Sequence, residues 1–147
     1  MSTPYSVKKG TALWIPGTGP PHDPGRGHLF IILTDPCANG KVLAVPVNSL
    51  TKRSDKTCVL KQGEHARIKH DSFAAYYRAQ QFSASVLEKQ VGQKVIFDEG
   101  VVDAGVFARV GAGVSQSREC TPANKAYYKA QTNPKPTTQT SATTTKA

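Results

Sequence analysis

The chain has 147 residues and is strongly basic, with 19 Lys and Arg against 10 Asp and Glu and a formal net charge of +9. This length is typical of one domain with a single hydrophobic core. The longest apolar run, residues 29–33, is far shorter than the roughly 18 residues of a membrane span. No apolar segment follows the first residues, so we expect neither a membrane protein nor a secreted one. The excess of positive charge favours nucleic acid as the partner.

The three cysteines, Cys37, Cys58 and Cys120, are widely spaced and include no CxxC pair. An odd, dispersed set argues against a disulfide framework and against a zinc knuckle. It is typical of the reducing cytoplasm, which is where we expect the protein to act.

The first part of the chain predicts short strands. Thr11–Ile15 is a β-rich run ended by a Pro-Gly pair, and residues 29–34 are continuously apolar but too few for a helix. A third strand, residues 41–47, follows the turn Asn39-Gly40, which is a strong hairpin signal. Pro46 cannot donate a hydrogen bond to a sheet, so we expect that end of the strand at an edge or a bulge.

The second part predicts two more strands and then helices. Residues 57–60 and 72–79 are the strand candidates, and Ser83 is expected to cap a helix over residues 83–90. Residues 99–114 place four apolar side chains at helical spacing. Five short strands followed by a terminal helix predict a mainly β fold, a small barrel with a helical lid.

Residues 121–147 differ in composition from the rest of the chain. They contain eight Thr, three Pro and four Lys, no acidic residue and almost no aliphatic side chain larger than Ala. Such a segment buries too little apolar surface to offset the entropy of ordering it. We therefore predict one folded domain over residues 1–120 and a disordered tail over residues 121–147.

Two long loops are the places where we expect chemistry. Residues 16–27 hold four Gly, four Pro, a His, an Asp and an Arg. A loop of this length is usually functional or mobile. The second loop, residues 48–56, carries Lys52, Arg53 and Lys56. Both loops open from strands that are expected to pair, so they can meet on one side of the sheet.

The order of these segments resembles the MazF/PemK/Kid family of bacterial toxins, which are small SH3-like barrels that cleave single-stranded RNA. The resemblance covers about residues 8–116 and is one of architecture, since no single motif in it is specific. The segments that match the family pattern, in chain order, are residues 10–14, 28–34, 45–49, 71–73, 77–80 and 91–93, followed by the apolar helix that ends at Val114.

Three positions depart from the family pattern. His28 occupies the place of the family's catalytic Arg, although Arg26 lies two residues earlier. Asn48 stands where the family has Thr, and Ser49 follows it. Arg78 comes before its Gln neighbour, which reverses the family's Gln-x-Arg. These changes are compatible with a divergent nuclease, with a nuclease whose catalytic groups are rearranged, or with an inactive binder.

When the 2′-hydroxyl of RNA attacks the adjacent phosphate, cleavage needs a base, an acid and cationic donors around the phosphoryl oxygens. This reaction needs no cofactor, because the substrate supplies the nucleophile. We expect His28 to be the acid or base, since imidazole titrates near neutral pH. Arg26 and Arg78 would hold the phosphate, because a guanidinium presents a planar fork of donors. Ser49 would donate a hydrogen bond to it.

The remaining candidates would bind the RNA chain. Tyr76 and Tyr77 point to opposite sides of a strand, so only one of them can stack on an unpaired base. The same alternation separates His65 from His70, and we favour His65, which adjoins a turn. The predicted RNA-binding residues are Asn48, Lys52, Arg53, Lys56, His65, Asp71 (which can also orient a His) and Tyr77.

A zinc site is the weaker interpretation of the same polar residues. Cys58, His28, His65 and His70 are ligand types that suit zinc. They include no closely spaced ligand pair, so we predict no metal and no cofactor.

The sequence thus predicts a cytoplasmic, metal-independent endoribonuclease that cleaves single-stranded RNA selectively, as the toxin of a toxin–antitoxin pair. The resemblance implies a homodimer and a protein antitoxin, and no membrane contact is expected. Two alternatives belong to other classes. One is a noncatalytic nucleic-acid-binding barrel that uses the same basic face, and the other is a protein-interaction module whose apolar groove accepts a peptide.

Overall fold

The computed structural model describes residues 5–17 and 27–132. This part of the chain is mainly β with a C-terminal helical region, as predicted, and within it no helix has the length and apolar character needed to cross a membrane. The strands are β1 (Thr11–Ile15), β2 (His28–Ile32), β3 (Lys41–Ser49), β4 (Val59–Leu60), β5 (Ser72–Ala74), β6 (Gln80–Ser83) and β7 (Phe97–Val101). The helices are α1 (Ala84–Gly92), α2 (Ala104–Gln116) and α3 (Pro122–Thr132), and a 3-10 turn spans Tyr76–Arg78.

The strands form one antiparallel sheet in the order β4-β5-β3-β2-β1-β7, with β6 also paired to β3. Ile31 of β2 lies opposite Ala12 on one side and opposite Val45 on the other. The longest strand is β3, with nine residues. It pairs with β2 along one side and with β6 and then β5 along the other. The fold is therefore organised around β3.

Both faces of the sheet are buried. Alternate residues of the central strands face two separate apolar clusters, because side chains alternate along a strand. Ile31 belongs to the first cluster, which Val110 of α2 covers, while Ile32 belongs to the second, which Leu87 of α1 covers. In the second cluster the rings of Phe30 and Phe82 meet edge to face at 5.6 Å. Burial on both faces explains why these strands read as continuous apolar runs.

Pro46 lies inside the sheet, which corrects the prediction that it marks an edge or a bulge. Its carbonyl accepts a hydrogen bond from Ala75 N at 2.9 Å. Because the N and C=O groups of one strand residue point to the same side, the Pro46 nitrogen faces the gap between β5 and β6. There the partner chain leaves the sheet as the 3-10 turn Tyr76–Arg78. The missing N–H therefore falls where the ladder is already interrupted.

Two predicted elements are divided in the structure. The strand expected over residues 72–79 becomes β5, the 3-10 turn and the start of β6. The helix expected over residues 99–114 begins as part of β7 and is helical only from Ala104, after Asp103 caps it by accepting two backbone N–H groups. Ser83 caps α1 as predicted. The five predicted strands are thus seven.

The prediction of a disordered tail is wrong for residues 122–132, which form α3. The hydroxyl of Thr121 accepts a hydrogen bond from Asn124 N at 3.2 Å and so caps the helix. Residues 133–147, the rest of the predicted tail, lie outside the described residues.

Polar contacts hold α3 against the sheet. Asn124 is buried, donates to the Ala79 carbonyl at 3.0 Å and accepts from Gln81 Nε2 at 3.0 Å. Tyr127 donates its hydroxyl to the Lys41 carbonyl at 2.7 Å. The composition of this segment does not predict the helix, because an amide and a tyrosine hydroxyl hold it against the sheet.

Candidate functional site

Two cavities adjoin the carboxyl-terminal end of β3 and share Asn48 and Ser49. The smaller, of about 190 Å³, is called here the histidine cavity, and its lining includes Trp14, Gly27, His28, Arg67, Lys69 and His70. The larger, of about 520 Å³, is called the tyrosine cavity, and its lining includes Thr51, Arg53, Asp55, Phe73, Tyr77 and Glu119.

Strand pairing places His28 beside Asn48. Leu29 lies opposite Val47, so the next residues along these two antiparallel strands meet at the same edge of the ladder. On its other side His28 pairs with Ile15 of β1. His28 is half-buried. Backbone pairing to β1, together with the β2–β3 register next to it, therefore fixes the position of this histidine.

A hydrogen bond of 2.7 Å joins Ser49 Oγ and His70 Nε2. Ser49 ends β3 opposite Ser72 of β5, two residues after His70. The Ser72 hydroxyl donates to the His70 carbonyl at 2.8 Å. The end of the β3–β5 ladder thus holds His70 next to Ser49.

Arg67 brings positive charge to the histidine cavity. Its guanidinium carbon lies 4.5 Å from the centroid of the Trp14 ring, and its Nη2 lies 2.9 Å from Glu99 Oε2. Gly27 also lies against this indole, because a Cβ added at Gly27 would be within 2.8 Å of three indole atoms. The cation–π contact and the ion pair together fix the guanidinium over the ring. Lys69 is the second cation of the cavity.

The segment of residues 61–71, which carries Arg67 and His70, is bound to α2 through Glu64. Arg109 of α2 approaches the two Glu64 carboxylate oxygens at 2.6 and 2.9 Å. Two parallel charge-assisted hydrogen bonds are the strongest form of such a pair. The hydrogen bonds from Arg109 lower the pKa of Glu64 to about 2. This pair therefore fixes the segment that presents His70.

The tyrosine cavity combines aromatic rings with carboxylates. Phe73 of β5 is buried, whereas Tyr77 of the 3-10 turn is 52% exposed. Burial raises the pKa of Asp55, but hydroxyl donors from Ser117 and Thr57 outweigh it, so the net shift of the pKa is downward. Asp55 is therefore ionised at neutral pH.

Asn48 carries a buried acceptor without a donor. Its Oδ1 is buried and has no hydrogen-bond partner among the residues that the structure describes. Buried polar atoms are nearly always paired in folded proteins, so this acceptor is an exception in a residue that lines both cavities.

The structure brings together five of the predicted site residues. His28, Asn48 and Ser49 line the histidine cavity, and Arg53 and Tyr77 line the tyrosine cavity with Asn48 and Ser49. Tyr76 is fully buried, so only one of the two adjacent tyrosines is accessible, as predicted. Both residues belong to a 3-10 turn and not to a strand, as the prediction assumed.

Other predicted residues lie elsewhere. Arg78 is exposed at the end of the 3-10 turn and lines neither cavity. Lys52 is exposed, and Lys56 donates from Nζ to the Lys52 carbonyl at 2.9 Å, which closes their own loop. Arg26 lies outside the described residues.

His65 and Asp71 serve the segment of residues 61–71 rather than a cavity. His65 Nδ1 accepts from Arg67 N at 3.0 Å, and its Nε2 lies 3.3 Å from the Glu99 carbonyl oxygen. Asp71 accepts from the backbone N of Gln62 at 3.1 Å. Both therefore hold the segment in shape.

His70, Arg67 and Lys69 are residues that the strand interpretation of this segment does not predict. Residues 61–71 form turns, so the alternation that favoured His65 over His70 does not apply. The signal was present in the sequence, because Ile68 is the only apolar side chain larger than Ala in residues 61–70. That composition is typical of a loop.

Within residues 5–17 and 27–132, no three His, Cys, Asp or Glu side chains are grouped so that they could hold a metal ion. The residues considered for zinc therefore do not form such a group there. Cys58 is buried, and burial raises the pKa of its thiol.

The sheet with its helices is similar to solved structures of MazF. One is MazF from Deinococcus radiodurans, with a TM-score of 0.50 and 16% sequence identity over 76% of this chain and 96% of that chain. Another is a MazE-MazF structure from the same organism, with a TM-score of 0.50 and 16% identity over 76% of this chain and 95% of that chain. The sequence matches no family model and no curated protein significantly. The chain has a MazF-like fold, which confirms the fold implied by the resemblance.

Proposed function

We propose that the protein is a metal-independent, sequence-selective endoribonuclease for single-stranded RNA, and the cytoplasmic toxin of a toxin–antitoxin pair. The observation that carries the proposal is the 2.7 Å hydrogen bond between Ser49 and His70 in a cavity that His28 also lines. Arg67 and Lys69 line the same cavity. Two imidazoles and two cations are the groups that RNA cleavage through the 2′-hydroxyl requires.

In this mechanism the two histidines move protons in opposite directions. One neutral imidazole takes the proton of the 2′-hydroxyl, whose oxygen attacks the adjacent phosphorus. The bond from phosphorus to the 5′-oxygen breaks, and the other, protonated imidazole gives its proton to that oxygen. The products are a 2′,3′-cyclic phosphate and a free 5′-hydroxyl. Arg67 and Lys69 stabilise the negative charge on the nonbridging oxygens. This is the role expected from the sequence for Arg26 and Arg78, and we keep those two arginines as proposed phosphate-binding residues.

The proposed partners follow from the MazF likeness. One of the similar structures is of MazE-MazF, so a protein antitoxin is the partner that we propose for this chain. A homodimer is proposed from the family resemblance, and light scattering of the purified chain tests it.

The test of the reaction is incubation of the full chain with mixed-sequence RNA in EDTA. We expect discrete fragments that end in 2′,3′-cyclic phosphate. His28→Gln and His70→Gln should each lower the cleavage rate by about 10²–10⁴-fold, the usual contribution of a general acid or base. Lys89→Gln is the control, because Lys89 is exposed on α1 and lines neither cavity.

Cleavage at the wild-type rate by either cavity variant would show that the assignment of that histidine is wrong. If the wild-type chain cleaves no RNA with or without metal, but binds RNA with an affinity that falls as salt rises, the protein is a noncatalytic nucleic-acid binder instead.

A further inference from the structure

We propose that the tyrosine cavity binds a guanine base of the RNA substrate. This inference rests on the proposed function, because it takes the histidine cavity as the site of the phosphate. It assigns the base selectivity of the protein to Glu119 and base stacking to Tyr77, neither of which takes part in proton transfer.

The two cavities are placed so that one nucleotide can span them. The tyrosine cavity, of about 520 Å³, lies within the range of small-molecule sites. It shares Asn48 and Ser49 with the histidine cavity. A phosphate beside His70 therefore leaves the attached sugar at Ser49 and the base in the tyrosine cavity.

The charges of the two cavities suit different parts of a nucleotide. Arg67 and Lys69 line the histidine cavity, and they attract a phosphate. Asp55 and Glu119 line the tyrosine cavity together with Arg53. Two carboxylates disfavour a second phosphate there, but they accept hydrogen bonds from a neutral base that carries N–H groups.

Two of the acceptors differ in how they are engaged. Asp55 already accepts hydrogen bonds from Ser117 and Thr57, so its carboxylate is fixed in place. Glu119 is exposed, and its carboxylate makes no hydrogen bond to another described residue. Asn48 adds the buried Oδ1 that no described residue pairs. The cavity therefore has acceptor capacity left for a ligand, chiefly at the exposed Glu119.

Tyr77 offers a stacking surface in a fixed position. Its ring is 52% exposed, while the adjacent Tyr76 is buried and donates its hydroxyl to the Val110 carbonyl at 2.6 Å. The 3-10 turn is closed by the bond from Ala79 N to the Tyr76 carbonyl at 3.1 Å. Unpaired bases of RNA are commonly stacked on such aromatic side chains.

The donor pattern selects guanine among the four bases. Guanine presents N1–H and the N2 amino group side by side, so one carboxylate can accept from both. Adenine and cytosine offer only an amino group on that edge, and uracil offers only one N–H. Guanine also carries the O6 and N7 acceptors, which suit an arginine such as Arg53. A site built to accept from both donors disfavours a base that lacks one of them.

The test measures binding separately from cleavage. Fluorescein-labelled 2′-deoxy hexanucleotides of thymidine, with one central guanine, hypoxanthine or adenine, lack the nucleophile and cannot be cleaved. Fluorescence anisotropy should show binding about ten-fold tighter for guanine than for hypoxanthine, which lacks only the 2-amino group, as expected for one lost hydrogen bond to a charged acceptor. In parallel, the cleavage sites in RNA are mapped and should lie next to guanine.

Three variants sharpen the test. Glu119→Gln should remove the preference for guanine over hypoxanthine, and Tyr77→Ala should weaken binding of all three oligonucleotides about ten-fold, whereas Tyr77→Phe should not. Gln93→Lys is the matched control, because it changes the net charge by the same one unit at an exposed position that lines neither cavity.

Equal affinity for the three oligonucleotides, or a guanine preference that Glu119→Gln leaves unchanged, would overturn the inference. The guanine site and the nuclease activity can each be refuted without refuting the other. Cleavage that ignores guanine refutes the guanine site and leaves the nuclease standing. Guanine-selective binding without any cleavage supports the site and refutes the nuclease.

Discussion

Ser49 has two roles at the end of β3. Its backbone continues the ladder opposite Ser72, and its hydroxyl forms the 2.7 Å hydrogen bond to His70. The first role builds the sheet and the second orients an imidazole. A substitution that removes only the hydroxyl therefore separates the two.

We expect Ser49→Ala to fold normally and to cleave RNA about ten-fold more slowly, because His70 loses the hydrogen bond that positions its ring. Single-turnover kinetics should show the loss in kcat with KM unchanged, the pattern of an interaction that acts on the chemical step. Ser49→Thr, which keeps the hydroxyl, should retain most of the rate. A rise in KM alone would mean that Ser49 binds substrate and does not position His70.

At this scale the sequence locates residues on strands better than residues on turns. Apolar runs locate His28, Asn48 and Ser49 near the ends of strands, and the family resemblance marks these positions as site residues. The position of His70 is not predictable in this way. The direction of its side chain depends on the turns between residues 61 and 71 and on the Ser72 hydroxyl, which donates to the His70 carbonyl.

Among the elements, the segment of residues 61–71 depends on a contact distant in the sequence. It carries Arg67, Lys69 and His70, yet it contains no regular helix or strand. Glu64 binds it to Arg109 of α2, forty-five residues away along the chain. The segment that carries these cations is thus held to α2 by one carboxylate.

We expect the Glu64–Arg109 pair to stabilise the fold at neutral pH and to lose this effect in acid. The pKa of Glu64 is lowered from about 4.5 to about 2, so the contribution is complete above about pH 4.5 and is lost as the pH falls toward 2. Glu64→Gln should lower the free energy of unfolding by about 1 kcal/mol at pH 7, a value discounted because Arg109 is partly exposed.

Urea unfolding at pH 7, 4.5 and 2.5 measures this difference. The gap between wild type and Glu64→Gln should narrow as the pH falls below 4.5. A gap that stays constant from pH 7 to 2.5 would mean that the carboxylate charge contributes nothing.

The elements missed by sequence patterns are those that carry few apolar side chains. Phe97–Val101 contains Asp, Glu and Gly, because it is an edge strand paired only with β1 in the described sheet. Gly100 adopts a φ of 82° there, next to a shift in the register with β1. Edge strands are often charged and bulged in this way, which weakens the apolar alternation on which strand prediction relies.

At the scale of the whole molecule, α3 binds the C-terminal end of the described residues to the sheet at β6 and β3. Its contacts reach Ala79, Gln81 and Lys41, which belong to or adjoin β6 and β3. The sequence did carry a local signal for this helix, since Thr121 followed by Pro122 is a common helix start. The composition of residues 121–147 as a whole does not show this helix start.

We expect Asn124→Ala to lower the free energy of unfolding by about 1–3 kcal/mol, because the buried Ala79 carbonyl then lacks its donor. Lys129→Ala, on the exposed side of α3, should change it by no more than about 0.5 kcal/mol. Urea denaturation of both variants measures the two changes in the free energy of unfolding. Similar values for the two would show that α3 contributes little to the stability of the domain.

Pro46 links the construction of the sheet to the lining of the tyrosine cavity. A residue with an N–H at this position would offer residues 75–79 one more backbone hydrogen bond. Those residues could then continue as one straight strand. Tyr76 and Tyr77 would then project to opposite faces at strand spacing, and the ring that borders the larger cavity would be placed differently. One imino acid, in the buried middle of β3, is thus coupled to the place where an aromatic ring meets the solvent.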